Sequence, residues 1–129
     1  MSKFQFLRKA AKFKAQVPAM LDRMANNAVN HFKVTNFDAK GFVDVTLRPW
    51  VPIKNSDGRQ PLVKTGRLRG SITVLGRSLN SRLVGSNVPY AAYHNEGTSR
   101  LPQRKMIGNS KTLEKKNGLV IIGTLKRIV

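Results

Sequence analysis

The chain has no cysteine among its 129 residues, which excludes disulfides and thiolate metal sites and leaves stability to packing or assembly. Acidic residues are also scarce, with 6 Asp and Glu against 24 Lys and Arg. So few carboxylates supply paired acid–base chemistry poorly. They also leave a formal charge of +18, far outside the mixed surface of an ordinary soluble monomer. Long apolar runs are missing: the longest candidate, residues 119–122, stops at Gly123, well short of the roughly 18 residues a membrane span needs. Aromatic–basic motifs of the kind used by RNA-binding modules are missing as well.

At 129 residues and 40% hydrophobic content, the chain is long enough for one core and too short for two comfortable domains. A single domain over 1–129 is expected, with a helical region at 1–35 and a sheet-containing region at 41–129. The basic residues are spread along it, 8 in residues 1–40, 6 in 41–76 and 10 in 77–129, so the charge is not a basic tail. Folded segments carrying this excess favour a surface that faces phosphate, with salt-sensitive binding. The plainer alternative is a solubilising surplus.

Phe13, Val17, Leu21, Met24, Ala28 and Phe32 recur at steps of three or four, one face of a helix. Ser2 with Gln5 supplies a capping box. The first twenty residues are basic and acid-free, like a transit peptide, but the stripe continues past Pro18 and reads as structure. A helix is expected over 3–31, kinked at Pro18 or broken there into two abutting helices. The stripe suits a core-facing surface or a groove for a partner helix.

Residues 41–47 alternate as a half-buried strand, with Asp44 and Thr46 facing away from Val43 and Val45. Asn55-Ser56-Asp57-Gly58 marks a loop over 52–61. Residues 71–75 and 82–85 read as short strands about a turn at 76–81, and with the first strand they suggest one small antiparallel sheet. Thr65 can cap a short helix over 66–70, and residues 90–95 can form another that Gly97 ends. Residues 119–122 suit a strand, although Leu113, Leu125 and Ile128 are compatible with a helix. The fold class expected is α+β, a long N-terminal helix packed on a small antiparallel sheet with short helices in the connections.

No catalytic or metal constellation survives inspection. His94-Asn95-Glu96 matches half of a zinc deaminase signature, but the thiolate half has no cysteines to supply it. Lys64-Thr65-Gly66 lacks a Ser-x-x-Lys companion, and residues 66–71 lack the Gly-Lys-Ser/Thr end of a phosphate-cradling loop. No enzyme activity, cofactor or metal is expected. Tyr90 and Tyr93, three apart, share a helix face and have the large area and polar tip of interface anchors, with an ordinary core edge as the alternative.

The ordered series over residues 48–108 carries a resemblance. It comprises Trp50 and Pro52, Leu62, Thr65-Gly66-Arg67-Leu68, Ser71-Ile72, Val84-Gly85, Pro89-Tyr90-Ala91 with His94 and Gly97, then Pro102 and Ile107-Gly108. This series resembles the phage virion morphogenesis or tail completion family, of tail-terminator or head–tail joining type. Arg104 and Lys105 depart from the family's more apolar or proline-rich character there, and the C-terminus lacks an unmistakable amphipathic helix.

The resemblance implies a non-enzymatic virion protein at the tail end or the head–tail junction, present in the host cytoplasm during assembly. It implies a homo-oligomeric ring of six copies around the DNA passage, docked on other tail or neck proteins. Trp50, Tyr90, Tyr93 and His94 are the residues expected at subunit or partner contacts. Arg67, Arg69, Arg77 and Arg82, in or beside short elements joined by tight turns, are expected to face DNA through its phosphates without sequence readout. A small basic nucleic-acid-binding module, ribosome-associated or nucleoid in type, is the alternative that charge alone favours.

Overall fold

The computed structural model of the chain describes residues 2–52 and 66–128. The loop expected over 52–61, beyond Pro52 itself, and the Thr65 cap lie outside them. Helix α1 (Lys3–Asn30) begins at the capping box read from the sequence: the Gln5 amide donates to Ser2 Oγ at 3.1 Å and the Ser2 amide donates to Gln5 Oε1 at 2.9 Å. It continues through Pro18 as one helix, so of the two forms expected there the divided one is excluded. Pro18 removes one main-chain donor, but elements packed along α1 hold the rod together.

The departure from α geometry comes later, in a π-helical turn at His31–Thr35 that leads into α2 (Asn36–Ala39). A π turn aligns residues five apart. His31 and Asn36, and Phe32 and Phe37, are accordingly all buried. Lys40, with φ of 57°, ends the helical region.

The strand expected over 41–47 is instead a hairpin, β1 (Gly41–Val43) pairing antiparallel with β2 (Leu47–Pro49). The reversal serves a distant segment: Asp44 Oδ1 accepts the Lys111 amide at 2.7 Å, and its carbonyl accepts the Thr112 hydroxyl. Asp44 and Thr46 therefore sit in a turn rather than on one side of a strand. Gly41 is required here, because a Cβ would meet the Arg48 carbonyl at 2.5 Å.

Helix α3 (Arg67–Gly70) precedes β3 (Thr73–Arg77), which starts later than expected because the Ser71 amide and hydroxyl bond the last carbonyls of α3. Strand β4 (Arg82–Gly85) pairs antiparallel with β3 through a bulge between Val74 and Gly76. The two hairpins form separate two-stranded sheets, not the single sheet expected. Helix α4 (Ala91–Glu96) ends at Gly97 with φ of 78°.

The strand expected at 119–122 is overturned, since those residues lie within helix α5 (Lys111–Ile128). Leu113, Asn117, Val120 and Thr124 recur at helical spacing toward the body, and Asn27 Nδ2 donates to Asn117 Oδ1 at 3.1 Å. α5 packs along α1. The architecture is thus α+β, with the long helix, a second long helix and two hairpins around one core.

Phe32, Phe37, Trp50, Leu68, Ile72 and Met106 are among the buried residues of that core. Two asparagines fix its far wall. Asn36 donates to the Met106 carbonyl at 2.8 Å, and Asn95 Oδ1 accepts the Met106 and Ile107 amides at 2.8 and 2.9 Å. Much of the series behind the family resemblance (Trp50, Leu68, Ile72, Val84, Tyr90, Ala91, Ile107) lies in this core or against it.

Candidate functional site: basic and apolar surfaces

The four arginines of the central turns fall into two groups. Arg77 and Arg82 are register partners at the end of the β3–β4 hairpin, and both approach Asp22 of α1, at 3.8 and 2.8 Å. Arg82 is 9% exposed. Its guanidinium also donates to the Ser78 carbonyl at 2.7 Å, the Ser81 carbonyl at 2.8 Å and the Pro18 carbonyl at 3.3 Å. It thereby ties the hairpin turn to α1. Arg77, its side chain 65% exposed, is held among the described residues by the long ion pair. The hydrogen bond from Arg82 holds the Asp22 carboxyl below its ordinary 3.8, with the charges of Arg82 and Arg77 adding to it against partial desolvation.

Arg69 donates to the Lys33 carbonyl and to Asp38, each at 2.9 Å, and lies over the Phe37 ring. Arg67 lies 5.8 Å from the Tyr90 ring centroid. Arg69 and Arg82 are thus engaged inside the chain, and the open basic surface lies largely on the helices, with Lys3, Arg8, Lys12 and Lys14 on α1 and Lys111, Lys115, Lys116 and Lys126 on α5.

The aromatic set separates as well. Trp50 is a core residue, edge-on to Phe37, with its indole N–H donating to the Lys105 carbonyl at 2.7 Å. It is 6% exposed in the single chain. Tyr90 packs against the core and edge-on to His94, while Tyr93 is 58% exposed and available for contact. His94 Nδ1 is buried with no hydrogen-bond partner among the described residues. Burial, and then the charge of Arg104, push the His94 imidazole below its ordinary 6.5.

Arg104 itself was not foreseen as structural. It is buried and donates to the Val51 carbonyl at 2.9 Å and the Pro52 carbonyl at 3.4 Å, which explains a cation where the family resemblance leads one to expect apolar character. Beside it is an open pocket of about 240 Å³ lined by Phe42, Arg48, Pro49, Trp50, Gln103 and Lys105. The pocket has two cations and aromatic walls but no hydroxyl, imidazole or carboxylate among these lining residues. Among the described residues, no group of three or more His, Asp or Glu is placed to hold a metal. No described helix is long and apolar enough to cross a membrane.

Among the described residues, three groups of exposed apolar side chains lie on helices or the second hairpin. The first turns of α1 expose Phe4 (79%), Phe6 and Leu7; the β3–β4 hairpin exposes Leu75, Leu79 and Leu83 (62%); α5 exposes Leu119, Ile122 and Leu125. Isolated exposed leucines are ordinary, but clusters mark interaction sites. No family model, curated protein or solved structure matches this chain.

Proposed function

We propose that the chain is a non-enzymatic phage virion protein that completes the tail or joins it to the head, acting as a ring of copies around the DNA passage. The observation that supports this best is the pairing of a +18 charge with separate groups of exposed apolar side chains among the described residues. Such a chain is suited to contacts with protein on one side and polyanion on another. The resembling residue series supports the choice of a virion role, and its residues form the scaffold that presents these surfaces. The mechanism is geometric: copies close by head-to-tail contacts, as cyclic symmetry allows, their outer faces dock on neighbouring virion proteins, and the basic surface attracts passing DNA.

A nonsense mutation in the gene of the phage that encodes the chain tests this reading. Unjoined heads and tails, or tails without a terminus, are the expected products, and normal infectious particles refute it. The second reading, a free nucleic-acid-binding module, is favoured by the net charge. It requires the protein to remain one or two chains in mass both alone and with tail components, whereas the virion reading requires higher assembly.

A further inference from the structure

The first turns of α1 have no partner among the described residues. α1 and α5 run antiparallel: His31 and Ser110, just ahead of α5, both bond the Val43 carbonyl, at 2.8 and 2.7 Å, while Asn27 bonds Asn117. Counted from that pair, the end of α5 falls opposite about residue 16. The β3–β4 turn is anchored at Pro18 and Asp22. Phe13 is half-buried, so residues 3–12, about 15 Å of helix, project as an arm. Phe4, Leu7 and Ala11 line one side of it at helical spacing, bordered by Lys3 and Arg8, and Gln5 and Lys12 lie on another.

The hairpin supplies a matching surface. Cross-strand partners share a side, so Val74 with Val84, and Arg77 with Arg82, face α1. The bulge after Val74 turns Gly76 to the other side with its partner Leu83. Leu75 joins them there, since its side chain lies within 3.3 Å of the Cβ position of Gly85. The outward side of the strands thus carries Thr73, Leu75, Gly76 and Leu83 over the buried Gly85, with no charged group, and Leu79 extends it at the turn.

In a chain this basic, an uncharged apolar face is the surface a cationic arm can approach. The outer side of α5 is unsuitable, because Lys115 and Lys126 flank Leu119 and Ile122 there. An arm cannot reach the outward face of its own hairpin, whose inner side packs on α1. We infer that the projecting arm of one copy seats Phe4 and Leu7 on Leu75, Leu79 and Leu83 of the next copy. Each copy offers one arm and one face, so the contact is heterologous and propagates until it closes. This rests on the ring reading above and names its contact.

Sedimentation of three proteins tests it: wild type, an arm variant (F4S/F6S/L7S) and a hairpin variant (L75S/L79S/L83S). All six positions are exposed in the single chain, so circular dichroism should report unchanged folds. Wild type is expected as an oligomer, each variant as a single chain, and their equimolar mixture as a dimer, because the mixture retains one intact arm facing one intact hairpin. Wild-type mass in either variant, or a mixture that stays single-chain, overturns the contact.

The chain lacks cysteine, so L7C/L83C can be cross-linked cleanly. Oxidation should give a ladder whose largest member counts the copies, and a single band overturns the contact. An oligomer that survives both serine variants sinks this contact and leaves the ring standing, whereas particles holding isolated, non-touching copies sink the ring itself.

Discussion

Replacing Arg82 by alanine severs four hydrogen bonds at once, one to Asp22 and three to main-chain carbonyls of the turn and of α1. Bonds to a charged donor are each worth about 1.5–3 kcal/mol, but the released acceptors are near solvent and water re-satisfies most of them. The net loss expected is about 3 kcal/mol, or a fall of about 10 °C in melting temperature for a chain of this size. Arg77 shares the same carboxylate from 3.8 Å and is mostly exposed, so its removal costs about 0.5 kcal/mol or less. Phosphate contact should run the other way. R77A should lower the salt dependence of DNA binding by up to about one unit, whereas R82A, assayed below its melting transition, should leave it unchanged. Thermal melts and salt titrations of fluorescence anisotropy measure both. Equal melting temperatures for the two variants, or a salt slope that drops in R82A alone, refutes the division between a structural and an available arginine.

Gly97→Ala places a side chain on a backbone of φ 78° and within 3.0 Å of the Gln103 amide; it should lose about 2 kcal/mol, read as a lower urea midpoint. The Asp44 carboxyl is held below its ordinary 3.8, first by the Lys111 amide. Its contribution is thus complete above 3.8 and is lost as pH falls through the lower folded value, so the stability gap between wild type and D44N should be constant near neutrality and close only in that acid range. His94 has the opposite sense. Its folded pKa lies below 6.5 through burial, so the unfolded chain takes the proton first and stability falls as pH drops from 6.5 toward the folded value. H94Q should lack that decline, and a wild-type melting temperature flat across this range would contradict the assignment.

What was legible in the sequence was local. The capping box at Ser2 and the stripe from Phe13 to Phe32 place α1 to within a residue at both ends, because both signals are complete within a few turns. Strand β4 and the Gly97 stop were legible for the same reason. The failures share a different cause. Residues 41–47 alternate like a strand, yet Asp44 satisfies the amide that opens α5, 67 residues away, and no local pattern encodes that demand. α5 was hidden because its inward face includes Asn117 and Thr124, polar residues that apolar periodicity does not register. The Thr124 hydroxyl is satisfied within the helix by the Val120 carbonyl at 3.0 Å, which allows its complete burial. Arg104 was unreadable for a related reason: its acceptors are main-chain carbonyls, which carry no sequence signature.

The division of the positive charge by residue type follows from the same chemistry. Arg69, Arg82 and Arg104 each use a planar, many-donor guanidinium to bond carbonyls of segments distant in sequence, a task the single ammonium of lysine performs poorly. The lysines of α1 and α5 are left mostly at the surface as solvated point charges. Solvated cations bind phosphate through counterion release and discriminate little between sequences. An arm that turns Phe4 and Leu7 into the neighbouring copy would leave Gln5 and Lys12 on its open side. Ring closure and phosphate attraction then use different sides of one helix, and neither requires the other's surface. A polyanion passing such a ring would meet lysines and arginines held on helices, attracted along its length but gripped at no single point.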